Sequence, residues 1–291
     1  MMTRLGLVLL WLIHWLPFGM QVRLGEGLGN ILYRIALPRR RIAEINIQHC
    51  FPELSAMEQT RLVRAHFRSV ARAALEHGVL WWGSAQRIQQ WVSVEGREHY
   101  DALAGQPVIL LSPHFVGLDM GAIRLTLDYP PAVSIYSRLR NPVIDRLMLR
   151  ARSRFSQTIL VSRHDGVRPL LKAMKRGHHL LYLPDQDFGP RDAMFVPFFG
   201  IPAATINALP RLAAMTGARV VPLITRQLPG NQGYVVRFHP AWDNFPGTDL
   251  AADLARINAF IETQVREMPE QYFWLHKRFK TRPTGEPSFY A

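Results

Sequence analysis

Through the second half of the chain, short apolar runs alternate with stretches of helical periodicity. Residues 108–111, 133–136, 159–161, 180–183 and 220–224 are rich in Val, Ile and Leu and are bounded by turn residues, so they read as buried strands. Between most of them, residues 118–127, 141–154, 167–176 and 206–216 carry helical spacing, with Gly177 and Gly217 placed as C-terminal stops. Residues 234–238 add an edge strand. Further upstream, Ser55 and Glu58 form a capping box that opens a helix through Leu62, Phe67, Val70, Ala74 and Leu75. Near the end, Leu254, Ile257, Phe260, Ile261, Val265 and Met268 mark an amphipathic helix stopped by Pro269. This alternation predicts an α/β fold with a mostly parallel central sheet flanked by helices.

The N-terminus follows a different pattern. Residues 5–20 form a 16-residue apolar run behind Arg4, interrupted by His14 and Pro17. That is slightly short of the roughly 20 residues a spanning helix needs. No convincing small-x-small cleavage site follows, which argues against a removed signal peptide. The expectation is a retained hydrophobic anchor helix over residues 1–24, either spanning or lying in the interface with Trp11 and Trp15 at headgroup level. Residues 25–291 then form a single catalytic domain, with no internal repeat or low-complexity linker.

Composition narrows the partners. The formal charge is +13, and only Lys172, Lys175, Lys277 and Lys280 are lysines, so the cationic surface is built from arginine. Arginine suits phosphate and carboxylate, which favours anionic lipid, an acidic carrier protein or nucleic acid. No zinc-finger spacing, aromatic RNA-binding signature or Walker loop is present, so nucleic acid is set aside. Cys50 is the only cysteine, which excludes an intrachain disulfide and a cysteine-rich metal site and fits a cytosol-facing location. The pair His178-His179 would face opposite ways on a strand, so no metal is expected.

The candidate chemistry lies just after the first of the alternating strands. Ser112-Pro113 closes the run, His114 follows, and Asp119 stands five residues further on with Gly117 and Gly121 nearby. If His114 sits on the strand-to-helix turn, Asp119 can reach back from the first helical turns and orient the imidazole. Open α/β sheets bind ligands at this carboxyl end of the strands. Spacing alone is weak evidence. Chance placement of 11 histidines and 22 acids over 291 residues gives roughly 0.8 such pairs, the same order as the one present.

Further blocks supply the context. Tyr136 is followed by Asn141-Pro142 and Arg152. Leu183-Pro184-Asp185-Gln186-Asp187 runs on to Arg191 and then Phe195–Gly200. The chain closes on Glu270-Gln271-Tyr272-Phe273-Trp274-Leu275-His276-Lys277-Arg278, continuing to Pro283. Together and in this order they resemble the late acyltransferases of lipid A biosynthesis, the lauroyl/myristoyl transferase family of Gram-negative bacteria. That family lies within the lysophospholipid-acyltransferase-like group, and the resemblance covers nearly the whole chain. One departure is Asp119, where family members often carry glutamate.

The resemblance implies a glycerolipid-acyltransferase-like fold and a membrane enzyme of the cell inner membrane with its catalytic domain on the cytoplasmic face. The implied donor is an acyl carrier protein, and the acceptor is a 3-hydroxyacyl hydroxyl of a Kdo-linked lipid A precursor. His114 would be the general base and Asp119 its orienting acid, so no protein nucleophile is needed. Arg152 would bind an acceptor phosphate or stabilise the site's carboxylate. Asp185 would position a polar group, cap a helix or neutralise an arginine, and Asp187 shares that reading. Backbone N–H groups near a helix start, or an arginine, would serve the oxyanion. Phe115, Leu118, Phe198 and Phe199 are candidates for an acyl groove or for plain core. Rival readings are an acyltransferase for another lipid such as a lysophospholipid, a thioesterase with water as nucleophile, and a non-enzymatic membrane-surface protein.

Overall fold

The structure is a computed structural model that describes residues 2–129 and 131–291. It opens with five helices, α1 (Met2–Ile13), α2 (Phe18–Ile35), α3 (Leu37–Cys50), α4 (Ala56–Trp82) and α5 (Ala85–Trp91). Strand β1 (Val92–Glu95) and helix α6 (Arg97–Asp101) lead into β2 (Val108–Leu111). Strands and helices then alternate through α7 (Leu118–Leu125), β3 (Ala132–Tyr136), α8 (Pro142–Arg152), β4 (Ile159–Ser162), α9 (Arg168–Met174) and β5 (His179–Tyr182). A hairpin of β6 (Ala193–Phe198) and β7 (Ile201–Ile206) precedes α10 (Ala208–Thr216), β8 (Arg219–Gln227), β9 (Tyr234–Phe238) and α11 (Leu250–Glu267).

Seven strands form one sheet in the order β1-β9-β8-β2-β5-β3-β4. The five from β8 to β4 are parallel to one another. β9 runs antiparallel to β8, and β1 lies parallel to β9. The expected mostly parallel sheet with flanking helices is therefore present. Its alternating side chains divide the core in two. Ile109, Leu111, Leu180 and Val220 face α9, α10 and α11, while Val108, Leu110, Val221 and Leu223 face α7 and the region around Ile88 and Tyr100. This is the period-two placement that a sheet covered on both faces requires.

Three strands, β1, β6 and β7, lie outside the expected ones. β7 takes residues to 206, so α10 begins at Ala208, and it ends on Gly217 in the left-handed conformation (φ 63°). The capping box holds: Glu58 N donates to Ser55 Oγ at 3.3 Å, and Ser55 N donates to Glu58 Oε2 at 2.8 Å. The helix it opens, α4, runs 27 residues.

The N-terminal expectation needs correction. The apolar run is not one helix: α1 ends at Ile13, a turn follows, and α2 starts after Pro17, whose fixed φ suits a helix start. Among the described residues no helix is long and apolar enough to cross a membrane. Helix α2 passes through residue 24 and lies along α4. A Cβ added at Gly25 would come within 2.5 Å of Arg72 Cα, and one at Gly29 within 2.4 Å of Arg68 Cα, so only glycine permits this approach. The same packing buries Arg72, whose guanidinium bonds Glu76 at 2.9 Å and the Leu228 carbonyl at 2.9 Å. Glu76 in turn accepts from the Tyr234 hydroxyl. Arg72 is therefore one half of a core ion pair, whereas Arg61, Arg64 and Arg68, which precede it on α4, are exposed.

Candidate active site

The site forms where β2 and β5 end side by side. Leu111 pairs with Tyr182 in the parallel ladder, and Ser112 N donates to the Tyr182 carbonyl at 2.9 Å. His114 and Asp185 each lie three residues beyond that pair, so the register carries them out together. His114 Nδ1 donates to Asp185 Oδ1 at 2.7 Å, and the His114 backbone N–H donates to Asp185 Oδ2 at 2.9 Å. Asp185 is buried beneath the imidazole. Burial alone would raise its carboxyl pKa, but the His114 charge and the bonds from His114 outweigh burial and hold it below the ordinary carboxylate value.

The expected His114–Asp119 dyad is not formed: no hydrogen bond or ion pair joins the two side chains. The reason lies in the intervening backbone. Phe115 bridges Tyr272 in antiparallel fashion, Val116 N donates to the Gln271 carbonyl at 2.9 Å, and Phe273 N donates to the His114 carbonyl at 3.0 Å. Residues 114–116 are thus tied to the closing segment, and α7, which carries Asp119, starts only at Leu118 after a turn closed by Leu118 N on the Phe115 carbonyl.

Asp119 instead anchors a second cluster. Arg152 donates to its Oδ1 through Nη2 at 2.8 Å and Nε at 3.2 Å, while His77 Nε2 lies 3.3 Å from Oδ2. Burial raises the Asp119 carboxyl, yet Arg152 and His77 together bring it well below its ordinary range. Burial likewise works against a charge on His77, but the Asp119 bond and charge prevail and its pKa lies above the ordinary histidine value. Gly121 lets α7 sit low enough for this: a Cβ there would fall 2.0 Å from Thr225 Oγ1 on β8.

His114, Asp119, Arg152 and His77 all line one open cleft of about 910 Å³. Its walls are largely apolar, including Ile123, Leu149, Leu160 and Leu181, and Arg163 and Arg191 stand among its polar lining. Of the groove candidates, Phe115 and Leu118 are in the wall. Phe198 is wholly buried in the core, and Phe199 packs on Phe51 and Trp274. Tyr136 from the second block also lines the cleft.

Asp187 has a different task from the one expected of it. Its carboxylate accepts from Thr281 N at 2.6 Å, Thr281 Oγ1 at 2.7 Å and Gly189 N at 2.9 Å, so it pins the C-terminal segment and does not line the cleft. His276 accepts from Asp187 N at 3.0 Å through Nε2. Burial lowers its pKa to about 4, so it stays neutral. The closing block around it is largely core, with Trp274, Arg278 and Phe279 buried behind the dyad.

His77 was not anticipated. Its signal was present, since Val70, Ala73, Ala74 and His77 follow i, i+3, i+4, i+7 spacing and share the α4 stripe that faces the cleft. Cys50, the one thiol, is buried and its pKa is pushed far up by burial, which makes it unfit as a nucleophile.

A family model for the bacterial lipid A biosynthesis acyltransferase matches residues 1–281. The lipid A biosynthesis lauroyltransferase of Escherichia coli (strain K12) is 37% identical over 292 residues, covering 99% of this chain and 94% of that protein. The palmitoleoyltransferase of the same organism is 32% identical with the same coverage. The myristoyltransferase is 32% identical over 261 residues, covering 89% of this chain and 80% of that protein. Among solved structures, the 1-acyl-sn-glycerophosphate acyltransferase PlsC from Thermotoga maritima is similar at a TM-score of 0.39 and 14% identity, covering 82% of this chain and 98% of that one. That likeness is too slight to bear on the site. With a family match over residues 1–281 and a relative 37% identical across nearly its whole length, this chain belongs to the bacterial lipid A biosynthesis acyltransferase family.

Proposed function

We propose that the chain transfers a fatty acyl group from an acyl carrier protein thioester to the hydroxyl of a 3-hydroxyacyl chain on a Kdo-linked lipid A precursor. The observation that carries this reading is an imidazole held by a buried carboxylate inside a large, mainly apolar cleft. Asp185 accepts a hydrogen bond from Nδ1–H, which leaves the Nε2 lone pair of His114 free to act as general base. The acceptor hydroxyl gives its proton to Nε2 as its oxygen attacks the thioester carbonyl. The tetrahedral adduct then collapses, the C–S bond breaks, and the departing thiolate takes the proton back from the imidazolium. Asp185 stabilises that imidazolium throughout, and such a positioned base contributes about 10²–10⁴-fold in rate. The substrate supplies the nucleophile, in keeping with the burial of Cys50.

The reaction takes place at the cytoplasmic face of the inner membrane. Two features support a surface-bound enzyme in place of a spanning one. α1 exposes Leu5, Val8, Leu9 and Leu12 at helical spacing, and α2 exposes Leu24, Ile31 and Ile35 on the side away from α4. Arg23, Arg34, Arg39 and Arg41 are exposed close to those faces, as binding to anionic headgroups requires.

The test is incubation of the purified protein with acyl carrier proteins of several chain lengths and the tetra-acylated, Kdo-bearing precursor, followed by mass spectrometry of the lipid. One added acyl group is the expected result. Release of free fatty acid with no acylated lipid would replace this reading with a thioesterase.

A further inference from the structure

We propose that His77 is a proton-carrying positioning residue: as an imidazolium it holds Asp119 in place from the side opposite Arg152. The argument rests on what each ring nitrogen meets. His77 Nδ1 lies 2.7 Å from the Ala73 carbonyl of its own helix, and a carbonyl only accepts, so Nδ1 carries a proton. Nε2 lies 3.3 Å from Asp119 Oδ2. Asp119 is ionised, because its other oxygen receives two N–H groups from Arg152, and a carboxylate also only accepts. Both ring nitrogens must therefore donate, which only the doubly protonated ring can do.

Among the described residues, the charged groups facing the ring are Asp119 from α7 and Arg152 from α8. Glu76, its neighbour on α4, is turned to Arg72 and Tyr234. The edge of Trp81 packs on the imidazole at 5.9 Å between centroids. A neutral ring would keep its Nδ1 proton for Ala73 and present a lone pair to the carboxylate, so deprotonation turns one hold on Asp119 into a repulsion. Proton loss also takes the Arg152–Asp119–His77 cluster from one net positive charge to none. Asp119 would then hang from Arg152 alone, in the wall of the cleft that also holds His114.

Two measurements decide the matter. In protein labelled with ¹⁵N-histidine, the His77 ring signals are assigned by their loss in His77→Gln. Both nitrogens are expected to be protonated at neutral pH, and Asp119→Asn should convert the ring to the Nδ1–H neutral form. A neutral wild-type ring near neutral pH, or a protonation state indifferent to Asp119→Asn, overturns the proposal. This arm does not depend on the acyl-transfer reading, so it stands even if the transfer assay fails. The second arm rests on that reading. His77→Leu should lose up to about a hundredfold in kcat/KM. His77→Gln, whose amide donates without titrating, should recover most of that rate and lack the alkaline limb expected of the wild type. If both variants lower the melting temperature while the pH profile of the remaining activity is unchanged, His77 is structural only and the positioning role is refuted.

Discussion

His114 Nδ1 donates to Asp185 Oδ1 at 2.7 Å across 71 residues of sequence, because the two residues leave adjacent parallel strands from paired positions. The carboxylate is fully enclosed and serves two N–H groups of the same histidine, so it fixes both the backbone and the ring. Asp185→Asn keeps the shape and an acceptor oxygen but removes the charge that stabilises the imidazolium and selects its tautomer. By the size of the equivalent change in a Ser-His-Asp triad, kcat should fall about 10³–10⁴-fold, and the melting temperature should fall as well, because the amide gives up a buried, paired charge and turns its NH2 toward one of the two His114 N–H groups. His114→Ala should fall as far. A loss below tenfold in Asp185→Asn would remove Asp185 from the mechanism.

The Asp119–Arg152 pair predicts a different signature. Removing either partner leaves the other charged and half-buried without its counter-ion, so each single substitution is costly and the second adds little. In a double-mutant cycle of Asp119→Asn and Arg152→Gln, the coupling in log kcat/KM should correspond to about 1–3 kcal/mol. Additive effects would show that the two residues act separately. Arg152→Lys should restore only part of the rate, because an ammonium cannot reproduce the two-pronged contact with Oδ1.

How much of this was legible in the chain depends on the range of the interaction. The strands at 108–111 and 180–183 declare themselves by composition, because a strand buried on both faces has to be apolar throughout. His114 at the strand end is equally visible. Its partner is not. Spacing favours an acid five residues away, and choosing Asp185 requires knowing that β5 adjoins β2 and that Leu111 stands opposite Tyr182. The same blindness hid β1, whose four residues gain their place only through β9, and the β6–β7 hairpin, where Pro197 and Pro202 argue locally against strand. The N-terminal run misled for the opposite reason: its apolar composition outweighs the interruptions at His14 and Pro17, and the Gly25–Gly29 contact with α4 carries no hydropathy signal.

Acid stability should be governed first by a buried histidine. His66 is fully buried, with Nδ1 on the Glu270 carbonyl at 3.0 Å, and burial lowers its pKa from 6.5 to about 4. Below pH 6.5 the unfolded chain binds a proton at this position that the folded chain refuses, so stability falls as pH drops from about 6.5 to about 4 and levels off beneath. A shift of that size corresponds to about 3 kcal/mol. His276, also lowered to about 4, adds a contribution of the same sign in the same window. Asp119 and Asp185 act lower: their depressed values stabilise the fold above the ordinary carboxylate range, and that stability is lost as pH falls further. Thermal unfolding followed from pH 7 to pH 4 should show this decline, and His66→Gln should flatten it. An unchanged slope in that variant would contradict the assignment.

The two N-terminal helices predict membrane binding of a particular kind. Glycines 25 and 29 turn one side of α2 onto α4, which leaves Leu24, Ile31 and Ile35 pointing away from the protein, and α1 exposes Leu5, Val8, Leu9 and Leu12. Inserting one such side chain into the acyl boundary is worth about 1.5–3 kcal/mol. Leu9→Glu combined with Ile31→Glu should therefore weaken co-sedimentation with vesicles containing anionic lipid by at least about a hundredfold. The arginines near those faces add attraction that salt screens, so binding should also weaken as ionic strength rises and on neutral vesicles. A helix pair lying in the interface is released by alkaline carbonate, whereas a spanning helix is not. Retention in the carbonate pellet, or binding unmoved by the double substitution, would show that these faces are not what meets the bilayer.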